Sequence, residues 1–263
     1  MSVQQDAFVR DLSFEKQLKN RLAELDVDVT SVSYSEIDST NQEAKRMAQR
    51  GNRERVLITA AYQSAGRGRM GRQFYSPADT GAYFTLLYPV PSLREAVTVT
   101  SAASVAVMRA IRTLTGKQTQ IKWVNDLYLN QKKICGILAE SVVTESGAQV
   151  ILGIGINLST AHFPVELEGI AGSLEETALQ PHVLIAEVCR ELMPFLNESQ
   201  DRSWLEDYRA YSSVIGKRIT WIRQDEKHSG IALDVDADGA LLVRDEGGEN
   251  IRLFTGEISI KTQ

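Results

Sequence analysis

Apolar residues recur from Leu12 through Phe14, Leu18 and Leu22 to Leu25 at the three-to-four spacing of one buried helical face. They predict a helix over residues 11–25, followed by a strand around 29–34. Asp38-Ser39-Thr40-Asn41 sets side-chain oxygens ahead of Glu43-Ala44-Lys45-Arg46-Met47-Ala48, which predicts a second, N-capped helix ending at Gly51. Apolar runs at 56–62 and 82–88 predict strands, and the Ala/Val-rich stretch 94–115 a long helix closed by Gly116. Three further apolar segments follow at 120–123, 127–129 and 134–143, the last two joined by a tight turn at Asn130-Gln131. In the next strand, 150–158, Gly153 and Gly155 occupy alternate positions. Side chains alternate along a strand, so both glycines leave space on the same face, where a ligand fits.

Helices are predicted at 181–197 and 202–211, and at Ile215-Gly216 the pattern shifts to short β-rich segments. Turn signals at Asp238-Gly239 and Gly247-Gly248 separate strands near 217–223, 229–235, 240–244 and 250–254, the pattern of a small SH3-like barrel. Two domains are expected, 1–214 and 215–263. With 263 residues, 43% hydrophobic and 24% charged, the chain can build one main core and a satellite.

A net charge of −5 argues against general DNA coating. Two cysteines and three scattered histidines offer no zinc-ligand spacing, so no metal site made of protein side chains is expected. The polar Met1–Arg10 segment lacks a secretory signal pattern and no apolar run reaches membrane-spanning length, so a cytoplasmic location is expected.

Against this acidic background, Gly66-Arg67-Gly68-Arg69-Met70-Gly71-Arg72 stands out directly after an apolar strand. Glycine lets backbone approach a ligand, and arginine suits phosphate. Alone, the loop fits an anion cradle, a solvated loop or an RGG-like nucleic-acid contact. It lacks the Gly-Lys-Ser/Thr ending of a P-loop. Lys122 and Lys133 also lie at apolar strands; alternation from Lys133 runs through Cys135, Ile137 and Ala139, which puts its ammonium beside an apolar face and makes snorkelling the plain alternative. Asn125-Asp126 reads as an Asx turn, with Asp126 also suited to a metal or an amine. Asn157 suits either a cap or a ligand contact, and the amide of Gln63 suits a urea-like ring.

Taken in order, Asp38-Ser39-Thr40-Asn41, Gln63 to Arg72, Lys122-Trp123-Val124-Asn125-Asp126, Lys133-Ile134-Cys135-Gly136-Ile137-Leu138 and Gly153-Ile154-Gly155-Ile156-Asn157 closely resemble the biotin protein ligases. The resemblance spans about residues 34–215, and Phe254-Thr255-Gly256-Glu257-Ile258-Ser259 is similar to the end of that family's small barrel. It implies an α+β fold, a central mixed or antiparallel sheet with flanking helices of the class II synthetase-like biotin/lipoate ligase type. It implies a two-step reaction: biotin and ATP give biotinyl-AMP and pyrophosphate, with Mg²⁺, and a lysine of a biotin carboxyl carrier protein then takes the biotinyl group.

Carried over by motif, Ser39, Thr40, Asn41, Gln63, Gly66, Arg67, Gly68, Arg69, Arg72, Lys133, Gly136 and Asn157 are expected at biotin or the nucleotide. Arg69, Lys122, Asp126 and Lys133 are expected to serve the phosphates and acyl transfer. Met70 stands where a basic residue is frequent, Phe74 where Trp is usual, and Val124 in place of a frequent Pro. The residues before the first motif hold one helix, too little for the winged helix-turn-helix of regulatory members, so a ligase without repressor activity is expected. A homodimer is left open. Lipoate or octanoate transfer on the same fold is the alternative, but its resemblance does not include the Gly-Arg-Gly-Arg loop.

Overall fold

The computed structural model describes residues 8–90, 95–145, 147–198, 201–223 and 226–260. Arg94, the expected first residue of the long helix, lies outside them. In chain order the elements of the larger part are β1 (Val9–Arg10), α1 (Leu12–Glu24), β2 (Thr30–Ile37), α2 (Thr40–Gln49), β3 (Val56–Gln63), β4 (Gly81–Pro89), α3 (Glu95–Thr115), β5 (Gln120–Lys122), β6 (Asp126–Leu129), β7 (Lys132–Thr144), β8 (Gly147–Asn157), α4 (Pro181–Asn197) and α5 (Trp204–Ala210).

The strands form one eight-stranded sheet in the order β1-β2-β3-β4-β8-β7-β6-β5. It is mixed, because β2 and β3 run parallel through the α2 crossover while the other pairs are antiparallel. Helices cover both faces. On one, Leu18 and Leu22 of α1 join buried residues of α3, α4 and α5 over Leu86, Leu152, Ile154 and Ile156. On the other, Ala44 and Ala48 of α2 pack on Ile58, Leu87 and Ile151. The second cover is short, so part of that face stays open.

The expected turn at Asn130-Gln131 is present, with φ of 50° and 64°, the left-handed pair that matches strand twist in a two-residue hairpin. Five C-terminal strands follow: β9 (Arg218–Arg223), β10 (Glu226–Val235), β11 (Leu241–Asp245), β12 (Asn250–Leu253) and β13 (Ile258–Ile260). They form an antiparallel sheet ordered β12-β11-β10-β9-β13. No pairing of β12 with β13 closes it into a barrel among the described residues. The indole of buried Trp123 donates to the Gly239 carbonyl (3.0 Å), tying this sheet to the larger one. No described helix is long and apolar enough to cross a membrane.

Candidate active site

The uncovered part of the α2 face is a cavity of about 590 Å³. Its floor is peptide. A Cβ on Gly153 would fall 2.0 Å from Asn41 Oδ1, one on Gly155 2.4 Å from Phe74 Cε1, and one on Gly136 3.2 Å from both Phe74 Cε2 and Lys133 Cε. Gly136 pairs with Gly155, and Leu138 with Gly153. The alternation seen in the sequence therefore makes a trough that holds Asn41 at one end and Phe74 with Lys133 further along.

The Asn41 end is neutral and buried. Ser39 precedes α2, but its side chain makes no capping bond, contrary to the sequence expectation. Instead Gln63 on β3 reaches across, and its Oε1 accepts from Thr40 N at 2.9 Å, while its Nε2 donates to Ser76 Oγ at 2.9 Å. The helix start is thus satisfied by a neighbouring strand, which fixes Gln63 as well. Asp38 accepts from Ser39 N (2.6 Å) and takes both arms of Arg46 at 2.8 Å. Burial works to raise the Asp38 carboxyl, but Arg46 and the Ser39 amide outweigh it and hold its pKa below the ordinary value.

The other end is charged. Arg67, Arg69, Arg72, Lys122 and Lys133 line the cavity against two acids, Asp126 and Glu257. The arginine loop is a small hairpin: Phe74 N donates to Gly66 O (2.9 Å) and Gly68 N to Arg72 O (2.8 Å). Met70 at its tip has φ 55° and is 75% exposed. Arg67 is held by Gln42 Oε1 (2.7 Å), and Arg69 by Asn125 Oδ1 (3.0 Å), Thr255 Oγ1 (3.2 Å) and the Gly256 carbonyl (3.1 Å). These partners are all neutral, so both guanidiniums are positioned without being neutralised. Arg72 differs, since it is ion-paired to Glu257. Gly66 lies outside the cavity lining, and a Cβ there would meet Phe74 O at 2.4 Å, so its need is close strand approach.

Lys133 corrects the alternation argument. Leu127 pairs with Cys135 but Tyr128 with Lys133, so Ile134 is an extra residue bulged from β7. The bulge turns Lys133 away from the apolar face of Cys135 and Ile137 and onto the cavity face with Gly136, Asp126 and Tyr128. Its Nζ lies 2.6 Å from Asp126 Oδ1, so the lysine is ion-paired rather than snorkelling free. Lys122 sets its ammonium 5.4 Å from the Tyr128 ring centroid. Burial, with Asp126 nearby, pushes the Tyr128 phenol up to about 12. Asn125 is no Asx turn: its Nδ2 donates to Ile137 O at 2.9 Å, leaving Oδ1 for Arg69.

Asn157 closes the floor, its Nδ2 donating to Gly172 O (2.9 Å) while its buried Oδ1 has no partner among the described residues. The sequence reading missed the loop that follows. Phe163, Leu167, Ile170 and Ala171 form an apolar wall of the cavity, and the loop is strapped to Lys133 by bonds from Lys133 N to Ile170 O (2.8 Å) and Gly172 N to Lys133 O (2.9 Å). The only signal was several apolar residues without a period. Both cysteines are buried, and burial pushes the thiols up, that of Cys189 to about 12. Among the described residues no group of three or more His, Cys, Asp or Glu could hold a metal.

The chain that folds this mixed sheet and glycine-floored cavity, neutral at one end and cationic at the other, falls by its matches in the biotin and lipoate ligase class. Residues 33–157 match the Biotin/lipoate A/B protein ligase family and residues 214–261 the Biotin protein ligase C terminal domain. The bifunctional ligase/repressor BirA of Bacillus spizizenii is 32% identical over 236 residues, covering 85% of this chain and 72% of that protein. The biotin–[acetyl-CoA-carboxylase] ligase of Paracoccus denitrificans is 30% identical, covering 81% of this chain and 94% of that one. The chain belongs to the biotin protein ligase family. In fold it resembles the Aquifex aeolicus biotin protein ligase solved with biotin and ATP, at a TM-score of 0.73 and 24% identity over 89% of this chain and 99% of that one.

Proposed function

We propose that this protein is an ATP-dependent biotin protein ligase. The observation that carries the reading is the division of one cavity into a neutral, hydrogen-bonded end floored by Gly153 and a cationic end lined by Arg67, Arg69, Lys122 and Lys133. Biotin has the same two halves, a neutral ureido ring and a carboxylate. Seated with its ring by Thr40, Asn41 and Gln63, it directs the carboxylate toward Lys133.

In the first step a carboxylate oxygen bonds to the α-phosphorus of ATP and the bond to the β-phosphate oxygen breaks, giving biotinyl-AMP and pyrophosphate. Two anions must approach, and Arg67, Arg69, Lys122 and Lys133, positioned in advance around the cavity, offset their repulsion. Asp126 holds the Lys133 ammonium in place. The free Asn157 Oδ1 suits an amino group of the nucleobase, and the wall of Phe163, Leu167 and Ile170 suits its ring. Mg²⁺ typically binds one or two carboxylates together with nucleotide phosphates. Asp126 is the carboxylate that fits here, and the ion would contribute charge neutralisation on the phosphates.

In the second step the amine of a carrier-protein lysine attacks the acyl carbon, forming the amide and releasing AMP and a proton. The reaction needs no enzyme nucleophile, in keeping with the buried thiols. The acceptor class under this reading is a biotin carboxyl carrier protein, the setting is cytoplasmic, and the catalytic part ends near residue 214. The test is incubation with ATP, labelled biotin and an isolated biotin-acceptor domain, with lipoate as competitor. Label on the acceptor lysine is expected, and unlabelled acceptor, or suppression by lipoate, would overturn the reading.

A further inference from the structure

The neutral end of the cavity rests on a hydrogen-bond chain that terminates on a carboxylate outside it. Asn41 Nδ2 donates to Glu140 Oε2 at 3.0 Å, Asn41 Oδ1 lies 2.6 Å from Thr85 Oγ1, Thr85 Oγ1 lies 2.8 Å from Thr40 Oγ1, and Thr40 Oγ1 lies 3.1 Å from Gln63 Oε1. Thr40, Asn41 and Gln63 line the cavity, whereas Glu140 and Thr85 do not. Thr85 is 0% exposed and Glu140 half-buried.

Counting protons fixes the direction of the chain. A carboxylate only accepts, so Asn41 must turn its amide NH₂ toward Glu140 and its oxygen toward Thr85. Thr85 has one proton, and an amide oxygen can only accept, so that proton goes to Asn41. The contact between the two hydroxyls then has no proton left unless Thr40 supplies it. The other acceptor within reach of Thr40 is Gln63 Oε1. In either arrangement the Thr40 proton is directed into the protein, and the Thr40 hydroxyl offers the cavity its lone pairs alone. Gly153 is what leaves room for the Asn41 oxygen in this orientation.

We propose that Glu140 is a positioning residue that sets the polarity of this chain, so that Thr40 receives the ligand as an acceptor only and selects an N–H at that point. The proposal rests on the biotin reading and deepens it: a ureido ring presents N–H groups, whereas a dithiolane ring has none to offer.

The test is biotin-dependent pyrophosphate exchange by the full-length protein, with separate KM values for biotin and ATP. Glu140→Leu removes the acceptor and frees Asn41 to turn over. The biotin KM is expected to rise about tenfold, the scale of one lost buried hydrogen bond, with ATP KM and kcat held. Glu140→Gln keeps an acceptor oxygen and should recover most of that loss. Thr85→Val breaks the chain midway and should reproduce the Leu effect, and the Glu140→Leu/Thr85→Val pair should be no worse than Thr85→Val alone, because the two lie on one chain. If Glu140→Leu does not fold, Thr85→Val carries the same expectation. An unchanged biotin KM in Thr85→Val and Glu140→Leu, a parallel loss in ATP KM and kcat, or an additive double variant would each overturn the proposal. Absence of biotin-dependent exchange in the unaltered protein would overturn the ligase reading itself.

Discussion

The two ends of the cavity solve the same problem, holding a polar ligand in a partly dry site, by opposite means. At the Asn41 end Thr40, Asn41, Gln63 and Thr85 already have protein partners, the groups are neutral, and their order is set by hydrogen bonds among them. At the arginine end the groups are charged, and Arg67 and Arg69 are held by amide, hydroxyl and carbonyl oxygens that leave their charge available. Under the proposed function the neutral end serves selection and the charged end lowers a barrier. Substitutions at the first should therefore move affinity, and at the second, rate.

The sharpest way to break that division is Lys133→Met. Removing a positioned donor from a site of developing charge typically costs about 10²–10³ in rate, so pyrophosphate exchange should fall by that order while biotin binding, measured by calorimetry without ATP, changes far less. A parallel collapse of biotin binding would mean that the ends are not separable.

The converse test is Gly153→Ala. Its Cβ would overlap Asn41 Oδ1, and overpacking of this kind costs about 1–3 kcal/mol, so the biotin Kd should rise between about 5-fold and 150-fold with little change in ATP KM. Unaltered biotin affinity would show that Asn41 has room to move.

Ionic strength gives a milder contrast. Salt screens exposed charge more than buried dipoles, so raising it should increase the ATP KM several-fold and leave the biotin Kd nearly constant; equal responses would blur the distinction.

The smallest expected effect concerns the support beneath the neutral end. Asp38 has a folded pKa below its ordinary value because Arg46 and the Ser39 amide outweigh burial. Its contribution to stability is therefore present above the ordinary carboxylate pKa, about 3.9, and is lost as pH falls through that value to the lower folded one. Arg46→Met should be less stable than the unaltered protein near neutrality, with the difference shrinking as the solution is acidified. Urea titrations across pH would read it, and a constant gap would place the Arg46 effect elsewhere, for instance in its contact with the Phe8 ring.

Much of this was legible in the residues themselves. Amphipathic spacing located α1, Gly116 marked the end of α3, and the paired glycines of β8 pointed to an open face. What escaped depends on contacts that no local pattern encodes. The bulge at Ile134 inserts one residue between Lys133 and Cys135, so strict alternation put the lysine on the wrong face. The Ser39 cap was assigned from a local motif, yet the amide is met by Gln63 from a different strand. The hold of Thr255 and Gly256 on Arg69 joins positions far apart in the chain, and the apolar wall at 163–171 has no period to betray it.

The floor at Gly136, Gly153 and Gly155 has a consequence for how this site can fail. Bare peptide offers nothing to truncate, protonate or oxidise, and every replacement allowed by the genetic code adds atoms. Damage there runs in one direction. The seat can be obstructed but not worn away, so variants at these three positions should be read as wedges of graded size, with alanine the smallest.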